Sequence, residues 1–281
     1  MLAAALLTLR EGLEAALVVS ILLSYLHQVG NRKLRWWVWG AVGAASGIGL
    51  ALAIGLQVVG TGIEGVTEQV FEGLVMLLAV AVLTWMIFWM RYQARNAKQN
   101  LEADVQLAVR RNHPWGLFGI AFLAVFREAV ETALFLTAAS FASDGLSIVV
   151  GSVVGLAAAI AVGWLIHTGM ASLSVRVFFN VTSVVLLIFA AGLFAHGIHE
   201  LQEAGWIPIF VEHVWDMKPI LDDGSLVGSV LRTLVGYNDD PSLLEIIGYV
   251  SYWIIVIVMV RWWVERLSRL SRSPLTSSTN A

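Results

Sequence analysis

Two stretches of the sequence set charged residues among apolar ones: Arg10-Glu11-Gly12-Leu13-Glu14 and Arg127-Glu128-Ala129-Val130-Glu131, both of the form R-E-x-x-E. In a helix the two glutamates of each motif lie about 60° apart on one face, so each helix presents a pair of carboxylates. Four carboxylates against two arginines leave about two negative charges, a trap for a di- or trivalent cation that prefers hard oxygen ligands. Two simpler readings stay open. Thr8-x-x-Glu11 has the spacing of a capping box, which would put Glu11 in an exposed first turn. Alternatively, Arg10 bonds Glu14 and Arg127 bonds Glu131 at i,i+4, so that the pairs only fix helix packing and leave Glu11 and Glu128 unpaired.

The elements that would carry these motifs follow from composition. Of 281 residues, 58% are apolar and 13% charged, against roughly 25% charged in soluble domains. That balance excludes disorder and an ordinary soluble enzyme, and it points to an all-α, polytopic membrane protein. There is no cysteine, so thiolate metal sites and cysteine nucleophiles are excluded, and a net charge of -3 offers no basic field for nucleic acid.

Seven stretches reach the ~20 apolar residues that a bilayer requires: residues 3–26, 36–58, 70–90, 115–141, 146–170, 177–199 and 243–264. The first lacks a basic leader and carries Arg10, Glu11 and Glu14, so it is read as a span and not a signal peptide. Arg32, Lys33 and Arg35, then Arg91, Arg95, Lys98, Arg110 and Arg111, then Arg266, Arg269 and Arg272 mark the cytoplasmic side. Glu64, Glu68, Asp144 and the acids between spans six and seven mark the outside, so the N-terminus is expected outside and the C-terminus inside. Tryptophans 36, 37, 39, 115, 262 and 263 sit near span ends, as interfacial residues do.

Because R-E-x-x-E recurs in spans one and four, duplication of a three-helix unit is the simplest account. An odd-numbered unit repeated in tandem must invert, which gives a 3+3 inverted repeat plus a seventh helix. Gly43-x-x-x-Gly47 in span two and Gly151-x-x-x-Gly155 in span five are expected as matching packing motifs. The expected organisation is a seven-helix domain over 1–267, with repeat one about 1–95, repeat two about 110–200, an outer loop over 201–242 and the seventh helix over 243–264. A disordered cytoplasmic tail over 268–281 follows. The outer loop holds three of the five prolines and an apolar piece, 225–237, that would lie on the membrane or re-enter it.

Counted from the outer ends at 1.5 Å per residue, Glu11 and Glu14 lie roughly 12 to 17 Å deep, and Glu128 and Glu131 roughly 15 to 20 Å. The two pairs can therefore meet. An ionisable residue at that depth costs about 2.5 to 3.5 kcal/mol, so six of them need partners, a hydrated cavity or a cation. Protons compete with a metal for the same oxygens, so binding should depend on pH. Each positive charge gains about 2.3 kcal/mol per 100 mV on entering a cell negative inside, which favours uptake.

A second set lies at the outer ends. His196, His199, Glu200 and Glu203 share one helical stripe, and Glu64, Glu68 and Glu72 recur at i,i+4; together they form a possible outer capture site. There is no H-E-x-x-H, G-x-S-x-G or P-loop pattern, so nothing supports protease, hydrolase or nucleotide-driven chemistry, and the chain is not expected to be an enzyme.

With seven spans and R-E-x-x-E in the first and fourth, the chain resembles the oxidase-dependent iron permease family of fungi and bacteria over nearly its whole length. Arg10 to Glu14 stand as the R-E-G-L-E form, Arg127 to Glu131 as the second motif with Ala129 where the first has Gly12, and His199-Glu200-Leu201-Gln202-Glu203 also matches the bacterial members. The resemblance implies iron as the transported substrate, delivered as Fe(III) after oxidation outside, without an organic cofactor. It makes Glu11, Glu14, Glu128 and Glu131 the metal ligands, with Arg10 and Arg127 as charge partners. It also implies a multi-pass protein of the bacterial inner membrane, surrounded by lipid and served by an extracytoplasmic iron-binding protein and an oxidase or peroxidase, with an oligomer possible and no nucleic acid. The alternatives are a proton-coupled carrier or exchanger of another divalent metal such as Mn(II), and a membrane enzyme or sensor using iron at His196, His199, Glu200 and Glu203.

Overall fold

Long apolar runs in lipid must satisfy their own backbone polar groups, and helices do so within one segment. The computed structural model describes residues 1–30, 32–93, 106, 114–143, 145–167 and 175–271. Among these, the regular structure is helical, with no strand: α1 (Leu2–Gln28), α2 (Arg35–Thr61), α3 (Val66–Gln93), α4 (Pro114–Phe141), α5 (Gly145–His167), α6 (Val175–Glu203), α7 (Leu226–Val235) and α8 (Leu243–Ser271), with a short 3-10 turn, Arg32–Leu34, before α2. Over their described residues the seven expected spans fall on helices, residues 168–170 of the fifth lying outside the described residues, and α8 runs past residue 264 to Ser271. Arg95, Lys98, Arg110, Arg111, Asp144, Arg272 and the rest of the expected tail lie outside the described residues.

Among the described residues, five helices, α2, α3, α5, α6 and α8, are long and apolar enough to cross a membrane. At 27 and 28 residues, α1 and α4 match them in length. What sets these two apart is the trio of charged residues that each R-E-x-x-E motif adds.

The most extensive contacts cross between the halves of the chain: α1 packs on α5, α2 on α4, α3 on α6, and α1 on α4, while α8 adds to the outside of α6. Close approach depends on small residues. On α5, Gly151, Gly155 and Gly163 sit against the α1 backbone and side chains at Met1, Ala5 and Ala16. The expected counterpart on α2 is displaced. Gly43 and Gly47 face open space, and the buried stripe is Ala41, Ala45 and Gly49, one helical face away. At the two motif crossings glycine and alanine trade places: Gly12 of α1 faces Ala159 of α5, and Ala129 of α4 faces Gly49 of α2. Each crossing has room for one methyl. A methyl at Gly49 would lie 2.5 Å from the Ala129 Cβ, so Gly49→Ala is expected to cost about 1–3 kcal/mol as an overpacked contact. Adding Ala129→Gly should restore the melting temperature, whereas Gly47→Ala alone should leave it unchanged; thermal unfolding in detergent reads all three.

One end of the bundle gathers Ser140 on Gln57 (3.2 Å), Gln69 on Glu203 (2.8 Å) and Ser143 with Thr233 (2.9 Å). At the other end the rings of Trp37, Trp115 and Phe118 meet edge to face. The apolar piece 225–237 forms α7, opened by Ser225, whose hydroxyl accepts from the Gly228 N–H, and closed by Gly236 at φ 73°. The backbone of Gly236 abuts Gly192 of α6, leaving no room for a side chain on either. Gly192 lies eleven residues before the end of α6, roughly 16 Å along its axis. The loop therefore dips deep alongside α6 and then climbs back to Ser242, whose hydroxyl donates to Gln202 (2.7 Å).

Candidate metal centre

The R-E-x-x-E motifs meet where α1 crosses α4. Oxygens of Glu11, Glu128 and Glu131 all lie within 4.8 Å of one another, and Glu14 is tied into the same group by Arg10 Nη2 at 3.4 Å and Arg127 Nη2 at 3.9 Å. Glu11, Glu14 and Glu128 are buried and Glu131 is largely so. The capping-box reading fails here: α1 starts at Leu2, the Thr8 hydroxyl bonds back to the Ala4 carbonyl within the helix, and Glu11 is only 1% exposed.

The arginines do pair with their i+4 glutamates, at 3.4 Å for Arg10–Glu14 and 3.6 Å for Arg127–Glu131. Their tightest bonds, however, go to the next residue in sequence: Arg10 Nη1 to Glu11 Oε1 at 2.8 Å and Arg127 Nη2 to Glu128 Oε1 at 2.6 Å. Glu11 and Glu128 are thus not the unpaired members that helical spacing suggests, because the long guanidinium arm folds back across its neighbour. Even so, neither arginine exhausts the acids. Glu11 Oε2, Glu128 Oε2 and Glu131 Oε2 each lack a hydrogen-bond partner although they are buried, and Glu14 Oε1 has only its 3.4 Å ion pair with Arg10. Buried carboxylate oxygens without donors are costly, and a cation is a partner that the Glu11, Glu128 and Glu131 group could take.

The two arginines differ in setting. Arg10 is wholly enclosed: Nη1 also donates to Met86 Sδ at 3.2 Å and Nη2 to Met90 Sδ at 2.9 Å, while Nε has no hydrogen-bond partner; sulfur is a weak acceptor. Arg127 is 52% exposed. Nothing in the local sequence foretells this asymmetry, since Met86 and Met90 lie on α3.

The outer residues divide into smaller groups. His199 stands between two carboxylates, with Nδ1 3.0 Å from Glu245 Oε1 and Nε2 3.2 Å from Glu203 Oε1. His196 Nε2 lies 3.8 Å from Glu200 and 3.4 Å from Arg232 Nη2. Glu72 feels the charges of Glu68 and Glu200, while Glu64 is exposed. Reading the sequence missed Glu245, which is 3% exposed and also accepts from the Ser242 N–H (3.1 Å) and Asn238 (2.9 Å). The acidic N-terminal turn of α8 was the available signal. Asp222, Asp223 and Asp239 also bring oxygens within 4.8 Å of one another where α7 begins.

An all-α chain with several membrane-crossing helices around a nest of carboxylates has the make-up of a cation transporter. Comparison with known proteins narrows the class: the model of the iron permease FTR1 family matches residues 1–271, and the chain belongs to that family. It is 38% identical over 255 residues to the ferrous iron permease EfeU of Escherichia coli O157:H7, covering 90% of this chain and 92% of the relative. To the ferrous iron permease EfeU of Yersinia pestis it is 36% identical over 258 residues, covering 90% and 91%. No solved structure matches. The protein is therefore a multi-pass cell-membrane protein of iron transport, a transporter and not an enzyme.

Proposed function

We propose that the protein imports iron through a site formed by Glu11, Glu14, Glu128 and Glu131, with Arg10 and Arg127 balancing charge between passages. The observation that carries this reading is the gathering of Glu11, Glu128 and Glu131 within 4.8 Å of one another, each with a buried oxygen that has no hydrogen-bond donor, beside Glu14. An ion entering the group meets hard oxygen ligands from two helices, and the guanidiniums limit how tightly it is held, so it can leave. The cargo is Fe(III), supplied after oxidation outside by an oxidase or peroxidase and an iron-binding protein.

The frame is seven spans arranged as an inverted 3+3 repeat plus α8, with the N-terminus outside. Exchanging the halves maps the α1–α5 contact onto α4–α2 and the α3–α6 contact onto itself, which supports the repeat. Acidic residues at the end holding Glu203 and Asp223, and Arg32, Lys33 and Arg35 at the other, support the orientation.

A second reading, passage of Fe(II), is favoured by the name that the relatives carry. Uptake by purified protein in liposomes loaded with a fluorescent chelator separates the two. Iron kept ferrous by ascorbate should enter slowly and iron oxidised at the membrane by an added ferroxidase quickly. The reverse order would establish the second reading, and equal flux of Mn(II) would replace both with a general divalent carrier.

A further inference from the structure

We infer that His199 and Glu203 form a second metal seat, which takes a divalent transition-metal ion at the mouth of the protein. Its position as a way station rests on the second transport reading above, passage of Fe(II), but its binding chemistry does not. The two donors line a cavity of about 410 Å³ between the end of α6, the start of α8 and the returning loop.

Several features distinguish the pair from an ordinary surface ion pair. Metal-binding histidines commonly give one ring N–H to a carboxylate, which fixes the tautomer and turns the other nitrogen's lone pair to the ion. Glu245 takes that place on Nδ1 at 3.0 Å, and is itself held by Asn238 and the Ser242 N–H. Glu203 is oriented in turn by the Gln69 amide, which donates to Oε2 at 2.8 Å and leaves Oε1 facing His199. The separation of 3.2 Å between Nε2 and Oε1 is the edge expected when both bind one ion at about 2.0–2.2 Å, since tetrahedral and octahedral angles give about 3.0–3.4 Å.

His196 does not join the seat, because Arg232 stands 3.4 Å from its Nε2 and repels a cation there. One imidazole and one carboxylate completed by water suit a borderline divalent ion such as Fe(II) or Co(II), held loosely enough to move on.

Co(II) reads this seat directly through its visible absorption. The titration uses full-length protein carrying Glu11→Gln and Glu128→Gln, so that loss of the buried site and absence of the outer one are separate results. One Co(II) per chain is expected, with His199→Ala and Glu203→Gln each removing it. Glu245→Gln should weaken binding by about 10- to 100-fold, as loss of an orienting partner does, while His213→Ala in the same cavity should have no effect. Thermal unfolding confirms that each variant is folded. No Co(II) bound, or binding that survives both His199→Ala and Glu203→Gln, overturns the inference whatever the transport assay shows.

Discussion

Glu11→Gln and Glu128→Gln are each expected to lower iron uptake into liposomes by more than about 100-fold while leaving the protein folded. Loss of a partner that merely orients a ligand costs 10- to 100-fold in metal affinity, and these side chains are proposed to touch the ion itself. Glutamine keeps the shape and the capacity to accept from the adjacent guanidinium, so Arg10 retains a partner in Glu14 and Arg127 one in Glu131. It also removes a buried charge, which relieves the fold. Flux at the native rate through both variants, with native melting temperatures, would refute passage through the four-carboxylate group.

The second large effect is on stability. Arg10→Met is expected to destabilise the protein by about 3–5 kcal/mol, because it leaves Glu11 and Glu14 as buried acids without their counter-charge. The same substitution at Arg127 should cost less, because that guanidinium is 52% exposed and water reaches its place, although it too takes the nearest counter-charge from the buried Glu128. Equivalent motif positions would thus behave unequally, and thermal unfolding in detergent reads the difference. Combining Arg10→Met with Glu11→Gln and Glu14→Gln should recover most of the loss by removing the stranded charges. Equal shifts at Arg10 and Arg127 would contradict the enclosure of Arg10 between α1 and α3.

Much of the architecture was legible because lipid imposes length and polarity on a helix. The spans anticipated at 36–58 and 115–141 appear as Arg35–Thr61 and Pro114–Phe141, and the recurrence of R-E-x-x-E pointed to two helices that do meet. Side-chain pairing was less readable. Helical periodicity favours Arg10 with Glu14, yet the shorter bond goes to Glu11, since the reach of arginine outweighs the angular offset. Gly43 and Gly47 satisfied a packing motif but face away, and alanines at 41 and 45 do that work, because small residues are common throughout apolar helices and only the partner selects the face. The partners of Glu245 and Met86 were invisible for a related reason. Each acts across a long stretch of chain, on His199 and Arg10 respectively, and local pattern carries no information about such partners.

The crossed clasp, in which the first helix of each half lies along the second helix of the other, bears on how the chain is made. While the ribosome is still producing the early part, α1 has no α5 to embrace and α2 no α4, so a charged segment must linger near the insertion machinery until the later helices emerge. Assembly then becomes a single late event. Neither half is a finished object, and two fragments divided between α3 and α4 would have to be synthesised side by side in the same cell to yield a working protein.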